Sequence, residues 1–270
     1  MLSPKSNITI ICSYEYPGPS PAVNRIATLV RQLSEQYNIR IATVAESDDR
    51  SNKRTNRDSV EIFSICHAAY NKNMFLARSW HELKLSIRLC LLARKLKSDL
   101  LIVSIPFMFL VPCAIILAGK SKKILDIRDL VWEYLPERSS MQQILKRALR
   151  GVMSFYIGMY DGVTASNPFE IDWIQRKSRC KHPLLVRNGI EEEKFAQLSR
   201  IGACRESSLA ERGQINVVYA GNIGLAQRLD VLIEAAVDFS NLNFLIAGTG
   251  NDLARILAIK EKTGVKNVSL

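Results

Sequence analysis

The sequence predicts an α/β protein built on parallel sheets, in two parts, the second of them incomplete. Three observations carry that expectation. β-branched apolar runs alternate with stretches of helical apolar spacing along most of the chain. Glycine-bearing bends follow strand runs and precede helix runs. Charge divides the chain near residue 190: residues 1–190 hold 28 Lys and Arg against 16 Asp and Glu, whereas residues 191–270 hold 9 against 10. With 270 residues, 47% of them hydrophobic, the chain has the length for about two domains and a globular composition.

The elements follow in order. Ile8–Cys12 is a β-branched run, ended by Pro17-Gly18-Pro19. Ser20 reads as an N-cap with Pro21 at the first helical position, and Val23, Ile26, Ala27 and Val30 recur at helical spacing. Ile39–Val44 is a second strand. Residues 46–59 carry no large apolar residue and read as a solvated loop before a strand at Val60–Ile65. Asn73–Lys97 is a long helical stretch with Leu83, Ile87, Cys90, Leu91 and Arg94 in phase. Leu100–Ile105 and Ile124–Ile127 are further strands. Met141, Ile144, Leu145, Ala148, Leu149 and Val152 form one face of the next helix, with Lys146, Arg147 and Arg150 opposite. Gly162–Ala165 and Leu184–Val186 complete about seven strands, enough for a doubly wound domain over residues 1–190.

A looser acidic stretch, 191–213, then opens the second domain, residues 191–270. Its strands are expected at Val217–Ala220, Leu242–Ala247 and from Val265. One helix is marked by Leu229, Leu232, Ile233 and Ala236, and another, capped by Asn251, runs through Leu257. A single βαβαβ unit leaves sheet surface uncovered, so this domain is expected to be incomplete.

Several classes are excluded. The six cysteines, at 12, 66, 90, 113, 180 and 204, form no CxxC pair, which argues against a zinc ribbon or a disulfide scaffold and for a reducing, cytoplasmic setting. Residues 1–15 do not read as a secretory signal. Leu100–Gly119 lacks charge over twenty residues, but Pro106 and Pro112 interrupt it, so a buried strand, a turn and a short apolar helix are expected rather than a bilayer span. Gly119-Lys120-Ser121 resembles the end of a phosphate-binding P-loop, yet Ala114 stands where its first glycine belongs. No GxGxxG, GxSxG or Asp-x-Asp occurs, and three histidines give no basis for a metal site. The basic charge has no aromatic-basic platform beside it, so nucleic acid is not an expected partner.

Three loops remain at the C-terminal ends of expected strands, the edge where open α/β sheets bind ligands. Tyr16-Pro17-Gly18-Pro19-Ser20 leads into a helix and could hold an anion, although an ordinary βα turn is the plainer reading. Ala220-Gly221-Asn222-Ile223-Gly224 and Ala247-Gly248-Thr249-Gly250-Asn251 are both strand, glycine loop, helix. Two such loops in one small domain suggest a pocket for a phosphorylated nucleotide. Gln227 and Arg228 are expected on the first turn of the helix that follows, within reach of an anion.

These residues carry a resemblance. Tyr219–Gln227, followed by Leu229–Ala236, resembles the donor-binding loop and helix of glycosyltransferase family 4, the retaining group 1 glycosyl transferases of GT-B fold. Leu125-Asp126-Ile127-Arg128-Asp129-Leu130 resembles that family's acceptor-domain strand end. Val186-Arg187-Asn188-Gly189-Ile190 with Phe195 resembles its interdomain segment, and Ile246–Gly250 its Gly-x-Gly strand end. The resemblance implies two Rossmann-like domains facing each other across a cleft, an acceptor-side domain followed by a nucleotide-sugar-binding one. It implies retaining, metal-independent transfer of a sugar from a nucleotide-sugar to a polysaccharide or lipid-linked acceptor, as in the building of bacterial surface polysaccharides. The nucleotide-sugar is a substrate; no cofactor is expected.

The resemblance also implies roles. Arg128 and Asp129 become the catalytic candidates, Arg128 standing where many members have a histidine. Gly18, Gly221, Asn222, Gly224, Gln227, Arg228, Gly248 and Gly250 become donor-binding candidates. Many members have Arg and Lys where this chain has Asn222 and Gln227, so Arg228 is the expected replacement cation. The family's Glu-x7-Glu donor element has no counterpart here. Two alternatives stay open: a non-catalytic acceptor- or membrane-binding remnant, or a GT-B sugar-nucleotide epimerase, against which the resemblance of Arg128-Asp129-Leu130 argues. Lys146, Arg147 and Arg150 on one helix, with Lys84, Arg88, Arg94, Lys95 and Lys97 on another, suggest peripheral contact with the anionic inner face of a membrane, a solvated helix face being the plainer reading.

Overall fold

Residues 1–194 and 195–270 form two compact units. The computed structural model describes residues 6–18, 21–49, 51–57, 60–70, 75–135, 137, 139–189, 192–203 and 215–270. The expected cap Ser20, the helix start Asn73, Ile190, Cys204 and much of the 191–213 stretch lie outside the described residues.

The first unit is an eight-stranded sheet: β1 (Asn7–Cys12), β2 (Asn38–Glu46), β3 (Lys53–Arg57), β4 (Val60–His67), β5 (Leu100–Ser104), β6 (Lys122–Ile127), β7 (Gly162–Ala165) and β8 (Leu184–Leu185). Its order is β3-β4-β2-β1-β5-β6-β7-β8, and only β3 runs antiparallel to its neighbour. The helices are α1 (Pro21–Ser34), α2 (Phe75–Leu96), α3 (Leu110–Leu117), α4 (Ser140–Ile157) and α5 (Pro168–Lys177), and α6 (Glu192–Ala203) crosses the boundary between the units. Alternation along the strands splits the core in two. Ile8, Ile10 and Cys12 pack with Ile26 and Val30 of α1. Ile11, Leu101 and Val103 pack with α2 and α3 on the other face. Burial pushes the Cys12 thiol up to about 11, which suits a small core residue.

The uncharged stretch after Asp99 is the buried strand β5, a turn and α3, as the prolines suggest. Among the described residues, no helix is long and apolar enough to cross a membrane.

Four expectations in this unit are corrected. The loop expected at 46–59 contains β3, five exposed residues held by backbone pairing to β4 and by Arg54 on Glu61. An edge strand with no apolar face leaves no periodic signal. The inner face of α2 centres on Leu85, Leu89, Cys90 and Ala93, while Leu91 is exposed, because apolar residues wrap most of this helix and blur its phase. The face expected to be buried on α4 points out: Met141 is 79% exposed and Ile144 63%, whereas Lys146 is 7% exposed and packs inward beside Met153 and Ile157. The cause is the 3-10 turn Val131–Tyr134 and the residues after it. The Lys146 ammonium donates to the Glu133 and Leu135 carbonyls and pairs with the Glu137 carboxylate, and Arg150 grips both oxygens of Glu133. Finally, α5 lies where no helix was expected, although Asn167 caps it by accepting from the Glu170 amide and Pro168 follows at its start.

The second unit holds β9 (Ile215–Ala220), α7 (Asp230–Asp238), β10 (Leu242–Ala247), α8 (Leu253–Thr263) and β11 (Val268–Ser269), in a parallel sheet ordered β11-β10-β9. Leu229, Ile233 and Ala236 pack with Ile256, Phe244 and Ile246. Ile215 and Val218 stay exposed, as an incomplete second sheet requires. Two boundaries move. The looser acidic stretch includes helix α6. Asp252, not Asn251, occupies the cap position of α8, where its carboxylate pairs with Arg255.

Candidate functional site

The C-terminal strand ends of the two units are built in different ways. In the first unit, β1 lies between β2 and β5, so the chain leaves the sheet in opposite directions on its two sides. That switch point opens a crevice in any such sheet. Here it holds a cavity of about 340 Å³ lined by Ser13 and Tyr14 after β1, Glu46 of β2, His67 of β4 and Arg78 and Glu82 of α2, among others.

A buried ion pair stiffens the neighbouring strand ends. Arg25 of α1 reaches Asp126 of β6 with both Nε (3.0 Å) and Nη2 (2.6 Å), and both residues are almost wholly buried. Asp126 also accepts from the Ser104 and Thr164 hydroxyls. Arg25 Nη1 donates to the Val186 carbonyl and to Asn188 Oδ1, so one side chain ties α1, β6 and the segment after β8. With its oxygens so occupied, Asp126 serves as a brace rather than a reacting group.

The catalytic candidates sit just beyond it. The Arg128 guanidinium lies 5.7 Å from the centre of the Tyr14 ring, and its buried Nε has no partner among the described residues. Burial raises the Asp129 carboxyl above its ordinary value, with Arg128 pulling the other way. Burial likewise raises Glu170, against the hydrogen bonds from Ser166, and Asp129 adds to the rise. Both carboxyls therefore hold their protons more tightly than free ones do. Glu170 was missed from the sequence; its place three residues beyond the helix cap was the available signal.

Gly18 lies elsewhere, in a depression of about 510 Å³ along α1 that includes Asn24, Arg31 and Arg57. A Cβ there would come 2.8 Å from the Glu15 carbonyl oxygen, so the tight turn itself requires a glycine here.

In the second unit the backbone makes the edge. The Gly221 amide donates to Ala247 and the Ile223 amide to Thr249, which sets the two glycine loops side by side. A Cβ on Gly248 would lie 1.8 Å from the Gly221 oxygen, and one on Gly250 2.0 Å from the Ile223 oxygen. No side chain fits at either place without moving the adjacent loop. Over Gly224 converge the Asn222 and Gln227 amides, 3.5 Å apart. Gln227 ends a 3-10 turn, Leu225–Gln227, and Arg228 follows it in a left-handed conformation, so neither stands on the first turn of α7 as expected. Arg228 is exposed and its Nε contacts both oxygens of Asp230 at 3.1 Å, which lowers the Asp230 carboxyl. Arg255 lowers Asp252 in the same way. The structure therefore gathers Gly221, Asn222, Gly224, Gln227, Gly248 and Gly250, with Arg228 at the margin.

No protein-family model and no curated protein sequence matches the chain. Solved structures do. The chain is similar to sucrose-phosphate synthase from Thermosynechococcus elongatus (14% identity, TM-score 0.66), covering 98% of this chain and 70% of that one. It is similar to the trehalose-6-phosphate synthase OtsA (11%, TM-score 0.63; 98% and 72%). It is also similar to an α,α-trehalose-phosphate synthase from Burkholderia xenovorans in complex with glucose-6-phosphate (12%, TM-score 0.57; 98% and 72%). The fold is thus GT-B, with two Rossmann-like parallel-sheet units of which the second is partial.

Proposed function

We propose that this chain carries the acceptor-side domain and the first part of the donor-side domain of a retaining, metal-independent glycosyltransferase. One observation carries the reading: in a fold shared with a sucrose-phosphate synthase and a trehalose-6-phosphate synthase, two interlocked glycine loops stand exposed side by side at adjacent strand ends. A nucleotide-sugar's diphosphate is a ligand suited to such loops, because amides and nearby cations stabilise its growing negative charge as the sugar leaves. Asn222 and Gln227 then orient the donor, and Arg228 supplies a cation. Arg128 and Asp129 act at the acceptor end, Arg128 holding a hydroxyl and Asp129 handling the proton. Among GT-B enzymes, the Gly-Asn-Ile-Gly and Arg-Asp-Leu segments favour family 4 and a role in bacterial surface polysaccharide synthesis in the cytoplasm.

The experiment is a titration of uridine, adenosine and guanosine diphosphate sugars by calorimetry, with transfer and hydrolysis assayed alongside. At least one nucleotide-sugar should bind, and Arg228→Ala should weaken it about fivefold to tenfold. Unchanged affinity would remove Arg228 from the site; no binding by any nucleotide-sugar would remove the reading.

Contact with an anionic membrane belongs to the same proposal, on a different surface from the one the sequence suggested. Lys146 and Arg150 are engaged with the protein's own Glu133 and Glu137. The outward stripe of Met141, Ile144, Leu145, Val152 and Phe155 is apolar, on the half of the chain that carries the positive charge. That combination suits an interfacial helix on acidic lipid. Flotation with anionic vesicles should recover the protein, and Leu145→Asp/Val152→Asp should abolish recovery. Equal recovery with neutral vesicles would end the electrostatic part of the idea.

A further inference from the structure

We propose that the cavity at the first unit's switch point binds the hydroxyl-bearing end of an uncharged saccharide and rejects sugar phosphates. The inference rests on the glycosyltransferase reading for its role as an acceptor site. Its chemistry stands on the cavity alone.

The first observation is charge. Glu15, Glu46 and Glu82 line the cavity against one guanidinium, Arg78. Arg78 is committed: its Nε donates to Glu82 Oε1 at 2.7 Å. Two carboxylates therefore stand unbalanced by any cation of the lining itself, although a further cation, Arg128, stands against the lining residue Tyr14. A phosphate placed there meets like charge, whereas sugar hydroxyls donate to carboxylates in charge-assisted hydrogen bonds.

The second observation is a vacant hydrogen-bonding group. Ser13 is 4% exposed and lines the cavity, and its buried hydroxyl has no partner among the described residues. Buried hydroxyls are nearly always paired, and a small movement of Ser13 would bring this one to a ligand's polar atom in the cavity. The third is an aromatic wall. His67 and Tyr70 line the cavity; the Tyr70 ring stacks on His81 with centroids 4.0 Å apart, and His67 meets His81 edge-on at 5.1 Å. Such faces pack against the C–H surface of a sugar ring. The volume, about 340 Å³, lies at the small end for ligand pockets and suits one ring better than a chain of them.

The test uses the full chain and ligand-observed saturation-transfer NMR. The probes are the methyl glycosides of glucose, galactose, mannose and N-acetylglucosamine, with glucose-6-phosphate and mannose-6-phosphate as the charged set. At least one methyl glycoside should bind, and the sugar phosphates should bind at least about tenfold more weakly. Ser13→Ala should weaken the glycoside roughly threefold to tenfold. Glu15→Lys/Glu46→Lys changes two exposed side chains and should bring the phosphates into range. Phosphates binding the wild-type protein as well as glycosides do, or no glycoside binding at all, would overturn the proposal. Nucleotide-sugar affinity, measured separately on the same variants, should not change. If glycosides bind and nucleotide-sugars do not, the transfer reading fails while the cavity's preference stands.

Discussion

The two strand edges differ in what holds them open. In the first unit, side chains do the work: Arg25 and Asp126 brace the strand ends from positions 101 residues apart, and the cavity lining comes from the segment after β1, from β2, β4 and α2, and from the turn after β5. In the second unit the backbone does it, with two glycine loops hydrogen-bonded to each other and packed too closely for any Cβ. Their carboxylates also diverge. Burial raises Asp129 and Glu170 in the first, whereas arginines lower Asp230 and Asp252 in the second. A side-chain edge can be retuned one residue at a time. A backbone edge has little to vary except the glycines that permit it.

The largest effect should come from breaking the brace. Arg25→Met strands Asp126 as a buried charge and should cost about 3–5 kcal/mol in urea unfolding. If Arg25→Met/Asp126→Leu recovers much of that loss, the pair is a brace and not a reacting group. The backbone edge comes next. Gly250→Val must displace the Ile223 carbonyl, should cost about 1–3 kcal/mol, and should remove nucleotide binding while leaving glycoside binding in the first unit intact. A variant that keeps nucleotide affinity would show that the loops interlock for packing alone.

The smallest effect is the pH response, and its sign should differ between the edges. Glu170 is raised from 4.5, so its contribution is full below that value and is lost as pH rises through the raised one. Glu170→Gln should remove that loss, so that wild type and variant diverge in melting temperature only at pH above the raised value. Asp230 and Asp252 are lowered from 3.8, so their contribution is present above that value and lost as pH falls. Asp230→Asn should accordingly cost stability near neutrality and nothing in strong acid. Parallel pH responses in the two variants would erase the contrast.

The same difference governs what the sequence reveals. The glycine loops were legible because a backbone requirement leaves its mark at the residue that meets it: Gly221, Gly224, Gly248 and Gly250 could be read in place. The parallel strands were legible through their β-branched runs, and β5 with α3 through the prolines that break an apolar stretch. The cavity was not. Ser13, Glu46, His67 and Glu82 are unremarkable in their own neighbourhoods and meet only because β1 lies between β2 and β5. Helix α4 misled for a related reason. Periodicity found its apolar stripe but could not say which way the stripe faced, because Glu133 and Glu137, whose grip on Lys146 and Arg150 decides it, lie outside the helix. Strand β3 gave no signal, since every one of its side chains faces water.

The central claim is that the glycine loops of the second unit receive a nucleotide-sugar's diphosphate. Hydrogen exchange on the whole chain, with and without saturating uridine, adenosine or guanosine diphosphate sugars, tests it most directly. Slowed exchange at residues 221–224 and 248–252 with at least one of these ligands is the expected result. Unchanged exchange there with all of them, or slowing confined to the first unit, would contradict the account.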